Sequence, residues 1–290
     1  MKQIEESELI INEDGSIFHL HLKPEQIAND IILVGDPKRV KIVSKYFESI
    51  EHIIKNREFI THTGYYNKKK ISVISTGIGT DNIDILINEL DALVNIDLEN
   101  RTIKSQKRKL NLIRLGTCGC IQEDIDIGSF LVSEISIGFD GLLNFYHRRD
   151  NISNLEIEKS FLRHMNWNPK LSTPYFVNNS LELIEKLGND FIKVMTISAP
   201  GFYGPQGREL RLQIQDQNIN EKIRTFRYKN KYIANYEMES SAIAGLSALL
   251  EHNAITICVT IANRYKKEFL NNYQYEMEKL IEHTLERLTQ

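Results

Sequence analysis

The feature that most constrains this chain is a repeated order: a short apolar run, a cluster of glycine and polar residues, then an amphipathic stretch. Residues 31–34, 71–75, 110–115, 128–137, 191–198, 232–236 and 255–262 read as strands. Pro37 opens a helix reaching about Tyr46. A second helix follows Gly79 with Ile83, Leu86, Ile87, Leu90 and Leu93 on one face, and a third starts near Ser240. Alternation of this kind predicts an α/β fold with a mixed central β-sheet flanked by α-helices. Chemistry-bearing residues close five of the runs: Gly35-Asp36, Gly77-Ile78-Gly79, Arg114-Leu115-Gly116-Thr117, Glu237-Met238-Glu239 and Asn263-Arg264. Ligands of open α/β sheets bind at the carboxyl ends of strands, so the five clusters predict one convergent pocket.

At 290 residues the chain suits one domain spanning 1–290, with 97–109 as a polar surface insertion and 267–289 as a docking C-terminal helix. A formal net charge of -3 gives no whole-molecule attraction to nucleic acid or to an anionic membrane. The polar, basic run 97–109 reads as a solvated loop and not as a nucleic-acid patch. The acidic start lacks the apolar core of a signal peptide, and no run approaches the roughly 20 apolar residues of a membrane span. Cys118, Cys120 and Cys258 lack zinc or redox spacing and read as buried small hydrophobes in a reducing, cytoplasmic setting.

Four segments, with Arg57 beside them, carry chemistry. Gly35-Asp36-Pro37-Lys38-Arg39 places a glycine turn and an arginine at a helix start, which favours an anion; a merely capped helix with a surface arginine is the equal alternative. Arg114 and Thr117 add a guanidinium and a hydroxyl, and Arg57 is a third candidate for the anion. Glu237-Met238-Glu239 offers carboxylates for neighbouring hydroxyls, against the plainer reading of an acidic helix start. Phe202-Tyr203-Gly204-Pro205-Gln206-Gly207-Arg208 combines an aromatic, an amide and an arginine, which suits a flat heterocycle, although a surface turn would look similar. The phosphate loop of nucleotide hydrolases and the dinucleotide fingerprint are both missing from the chain.

From Phe18-His19-Leu20 to Asn263-Arg264, these segments resemble the nucleoside phosphorylase family, and within it the uridine phosphorylases. The motifs GDPKR, NREF, TGIG, IRLGTCG, FYGPQGR, NYEMES and ANR carry the resemblance. The resemblance implies a single α/β domain whose mixed sheet is partly barrel-like. It implies phosphate binding by Gly35, Arg39, Arg114 and Thr117, with Arg57 arriving from a neighbouring subunit. Met238 and Glu239 would hold ribose, and the neighbour's His19 would reach the 5′-hydroxyl. Phe202, Gln206, Arg208 and Arg264 would frame the base. The implied catalytic set is Arg39, Arg114, Thr117, Gln206 and Arg208, with inorganic phosphate as co-substrate and no organic cofactor. Sites shared between subunits imply a homodimer or a trimer of dimers. Some relatives hold a potassium ion between subunits; Glu58 and Ile78 match that pattern, with Asn82 in the third position.

The implied reaction is phosphorolysis of a pyrimidine nucleoside, uridine first. Asn263-Arg264 stands where purine enzymes of the family place an aspartate. The alternatives are a purine or broad-specificity phosphorylase, a nucleoside hydrolase, and a non-catalytic nucleoside binder. The chain departs from the family pattern at Thr80-Asp81-Asn82 and at Glu209-Leu210-Arg211. Asp81 is the residue that would support the non-catalytic reading, because a carboxylate beside phosphate repels it.

Overall fold

In the computed structural model, which describes residues 3–290, the first buried run becomes β1 (Asp30–Val34). Asp36 caps α1 (Pro37–Ser44), its carboxylate accepting the Lys38 N–H at 2.8 Å, and Pro37 supplies the fixed φ of a first helical position. A meander follows, β2 (Ser49–Asn56), β3 (Phe59–Tyr66) and β4 (Lys69–Ser75), then α2 (Thr80–Asn95). The small hairpin β5 (Ile96–Asp97) and β6 (Thr102–Ile103) leads to β7 (Asn111–Cys120) and β8 (Phe130–Gly138). Next come α3 (Arg149–Ile152), α4 (Leu155–Met165), β9 (Tyr175–Asn178), α5 (Leu181–Leu187) and β10 (Ile192–Ser198). The chain ends through α6 (Ile219–Thr225), β11 (Arg227–Tyr228), β12 (Lys231–Glu237), α7 (Ser240–Leu249), β13 (Asn253–Asn263), β14 (Glu268–Phe269) and α8 (Gln274–Thr289).

One mixed sheet runs in the order β11-β12-β10-β8-β13-β7-β1-β4-β3-β2, and β12 also pairs with β7. That extra pairing closes β7, β13, β8, β10 and β12 into a five-strand, barrel-like ring. So narrow a ring is filled by short and mid-sized apolar side chains. Each of its strands supplies one or more of them to a shared cluster: Cys118 and Cys120, Leu131, Val194, Ala234 and Cys258. The three cysteines are free and buried, as small hydrophobes. Beyond the ring the sheet is covered on both faces. Ile31 and Leu33 pack with α2 and α7 residues, whereas Ile32 and Val34 pack with α1, α5 and α8 residues. On α2, Leu86, Ile87 and Leu90 are fully buried, each stabilising by roughly 1.5–3 kcal/mol. Among the described residues no helix is long and apolar enough to cross a membrane.

Three expectations need correction. The C-terminal helix starts at Gln274, not Lys267, because Glu268 and Phe269 pair with Asn263 and Ala262 instead. Gly116-Thr117 does not close its strand: β7 continues to Cys120, held by pairing with β13. Residues 97–109 contain the β5–β6 hairpin, and Arg108 ties the segment back, its Nε–H donating to the Asn29 side chain and its N–H to Asn95 Oδ1 at 2.7 Å.

Candidate active site

The strand ends of β1, β4, β7, β12 and β13 converge on a cavity of about 1120 Å³. Gly35, Arg39, Arg114, Thr117, Met238 and Glu239 line it, as do Phe202, Gln206, Arg208 and Arg264. His19 and Arg57 do not. They lie together elsewhere, with Asn56 Nδ2 donating to the His19 carbonyl at 2.9 Å and the Arg57 guanidinium 5.9 Å from the Phe18 ring centroid.

Arg114 is the centre of the buried end. It projects from β7 over Gly116, where a Cβ would stand 1.8 Å from its Nη1, so only glycine leaves the guanidinium its place. Its Nη2 donates to Glu239 and lies 3.5 Å from Glu237. Burial alone would lower the pKa of Arg114, but the two carboxylates outweigh it and raise that pKa. Burial in turn raises the pKa of Glu239, with Glu237 adding to the shift and Arg114 opposing it. Glu239 Oε1 also accepts the Gly79 N–H at 2.8 Å, a bond that depends on the left-handed glycines Gly77 and Gly79. Glu237 does structural work. Its carboxylate accepts the N–H groups of Glu239 and Ser240 at 3.0 and 2.9 Å and the Ser198 hydroxyl at 2.6 Å, capping α7.

Arg39 reaches the same end from the first turn of α1, its Nη1 donating to the Leu115 carbonyl at 3.4 Å. Burial lowers its pKa, and Tyr273 beside it works the other way. Thr117 and Cys118 line the wall between the two ends, and burial pushes the Cys118 thiol well up, which makes it inert as a nucleophile.

At the other end, Arg208 stacks 3.8 Å from the Phe202 ring centroid and donates to the Phe202 carbonyl at 2.7 Å and to Gln206 Oε1. Burial, with repulsion from Arg264, lowers the Arg208 pKa to about 10. Arg264 donates to the carbonyls of Gln206 and Gly207, pinning the loop from behind. Asn263 is turned away from the cavity's chemistry: its Nδ2 donates to the carbonyls of Gln122 and Ile125, and its Oδ1 accepts from the N–H groups of Tyr265 and Lys266.

Glu58, Ile78 and Asn82 lie along the cavity edge. The Glu58 and Asn82 side chains both approach the Cβ position that Gly77 lacks. Asp81 is exposed and outside the lining. Two contributors escaped the sequence reading. Glu237 belongs to a motif that was read for its other carboxylate, and Tyr273 lies in a segment that read as helix.

The family model for the phosphorylase superfamily matches residues 30–288. The uridine phosphorylase of Thermococcus kodakarensis is 29% identical over 262 residues, covering 89% of this chain and 81% of the relative. A purine nucleoside phosphorylase of the DeoD type from Buchnera aphidicola is 23% identical, covering 89% of this chain and 92% of the relative. Among solved structures, a Trypanosoma brucei nucleoside phosphorylase described as showing uridine phosphorylase activity superposes with a TM-score of 0.88 at 28% identity. That match covers 97% of this chain and 99% of the other. With its ring-closed mixed sheet, its cavity at the strand ends and a family match over nearly the whole length, the chain belongs to the phosphorylase superfamily.

Proposed function

We propose that the protein is a uridine phosphorylase, a pentosyltransferase that converts uridine and inorganic phosphate to uracil and ribose 1-phosphate. The observation that carries the reading is one cavity with Arg39 and Arg114 at one end, Gln206, Arg208 and Arg264 at the other, and Thr117 on the wall between. In this reading a phosphate oxygen attacks C1′ as the glycosidic bond to the base breaks, and the bonding pair leaves with the base. Arg39, Arg114 and the Gly35 turn hold phosphate beneath the sugar, so its charge also stabilises the cationic ribose. Glu239 accepts from the 2′- and 3′-hydroxyls while Met238 packs on the ring. Gln206 and Arg208 bond to the base carbonyls as negative charge grows there, each donor contributing ~3 kcal/mol or more to the barrier reduction.

The partner subunit's Arg57 and His19 would complete the phosphate and 5′-hydroxyl contacts, which makes a dimer the smallest active unit. Glu58, the Ile78 carbonyl and the Asn82 amide are oxygen donors of the kind a potassium ion takes. That ion would neutralise charge and brace the cavity edge. The reading places the enzyme in the cytoplasm, in keeping with its three free, buried cysteines.

The pyrimidine assignment rests on Asn263. Its amide is spent on four backbone groups, so the side chain at this position has no proton to give a purine N7. The hydrolase alternative leaves the anion-holding arginines without a task, and the non-catalytic alternative loses Asp81, which faces solvent. To test the reading, purified protein is incubated with uridine and with inosine, each with and without phosphate, and free base is followed. Phosphate-dependent uracil release is expected. Faster hypoxanthine release would overturn the base assignment, and cleavage indifferent to phosphate would overturn phosphorolysis.

A further inference from the structure

A second cavity, of about 960 Å³, lies across the loop that carries Gln206 and Arg208. Loop residues divide between the two spaces: Phe202 and Gln206 line the first, Tyr203, Gly204 and Pro205 the second, and Arg208 both. The inner wall of the second cavity is aromatic, with Phe139 and Trp167 edge to face at 4.9 Å between centroids. The outer wall is the irregular segment after Arg208, which presents Leu210 and Leu212 at 75% and 80% exposure. Glu209 braces that segment, accepting the Ile214 N–H at 3.1 Å and Gln217 Nε2–H at 2.6 Å. Two leucines open to water thus line the same cavity as the aromatic pair, an apolar lining larger than scattered surface residues would give.

The charges at this cavity say by what. Asp216 is neutralised by Lys222 at 2.7 Å, and Asp140 accepts from the Tyr175 and Ser241 hydroxyls at 2.7 and 2.9 Å. The cations Lys170 and Arg211 also line the space, and among the described residues neither side chain has a hydrogen-bond or ion-pair partner. The acidic groups are thus satisfied within the chain and the cationic ones are free.

We propose that this cavity is a second ligand site, selective for a small aromatic anion. Its ring packs between Trp167 and the two leucines, and its carboxylate or sulfonate pairs with Arg211 and Lys170. The site is separate from the nucleoside cavity and does not depend on the reaction assigned to it.

Trp167 is the one tryptophan in the chain and lines this cavity, so transfer from it reports on dye bound in its neighbourhood, with the nucleoside cavity held occupied. The probe is 1-anilinonaphthalene-8-sulfonate, titrated into intact protein in the presence of saturating uridine and phosphate and read by energy transfer from Trp167. Saturable transfer at one dye per chain is expected. The double variant Lys170→Ala, Arg211→Ala, altered only at exposed positions, should weaken the dye about tenfold. The uncharged N-phenyl-1-naphthylamine should bind the unaltered protein about tenfold more weakly than the sulfonate, and both forms of the protein alike. Absence of saturable transfer, unchanged affinity in the double variant, equal affinity for the two dyes, or transfer abolished by uridine and phosphate would each overturn the proposal. Failure of the phosphorylase reading would appear in the base-release assay and leave these titrations as they are.

Discussion

At the end proposed for phosphate and ribose, Arg114 stands within β7, Glu237 closes β12 and Glu239 precedes α7, each about 5% exposed or less. At the base end, Phe202 and Tyr203 are 49% and 54% exposed on a loop with little more than one helical turn. The first end is part of the core. Its charges are paired with one another, its glycines are set by close approach, and a change there disturbs folding together with chemistry. The second end is a loop outside the hydrogen-bonded sheet, pinned by Arg264 from behind. In the proposed mechanism the step common to all substrates, holding phosphate under ribose, falls to rigid elements, and recognition of the base to the adaptable one.

Substitutions that separate stability from activity sharpen this contrast. The largest effect is expected for Gly116→Ala, whose Cβ would occupy space 1.8 Å from Arg114 Nη1. Phosphorolysis should fall ~10²–10³-fold and the protein should lose roughly 1–3 kcal/mol of stability as Arg114 is displaced. Rate assays and denaturant unfolding on the same preparation check both. Arg208→Ala should lower kcat/KM for uridine ~10²-fold while leaving the unfolding midpoint nearly unchanged; a large fall in stability would break the contrast. Glu237→Gln keeps the shape but loses acceptor capacity toward the α7 N–H groups and the Ser198 hydroxyl. It should cost about 1–2 kcal/mol, read by thermal unfolding, with a smaller fall in rate than Arg208→Ala.

The smallest effect concerns a group outside both ends. His62 is buried against Ser44 at 2.7 Å, and burial, with Lys41 nearby, holds its pKa below the usual 6.5. As pH falls through 6.5 the unfolded chain takes up a proton that folded His62 resists, so stability declines on that side. His62→Gln should flatten this decline, measured by urea unfolding at successive pH values.

Much of the core-built end was legible because its chemistry interrupts apolar runs. GDPKR and NYEMES stand out against buried strands, and their residues meet in one cavity. The extent of β7 was hidden, since Gly116 and Thr117 look like a turn and are held in strand only by pairing with β13 far along the chain. The β2–β3 hairpin was missed for a local reason. Its two-residue turn begins with Arg57 at φ 51°, a left-handed position that glycine or asparagine usually marks. The context of Arg57 therefore looked weak, and its role came from resemblance alone. The second cavity had no signature, because Trp167, Tyr203 and Leu212 come together only through tertiary packing.

The central claim is that phosphate, held by the buried arginine end, becomes bonded to C1′ of the sugar. Following uridine and inorganic phosphate with the enzyme by phosphorus NMR tests it most directly. A ribose 1-phosphate resonance growing in step with released uracil, and consuming inorganic phosphate one for one, is the expected result. Uracil released with free ribose and an unchanged phosphate signal would contradict it.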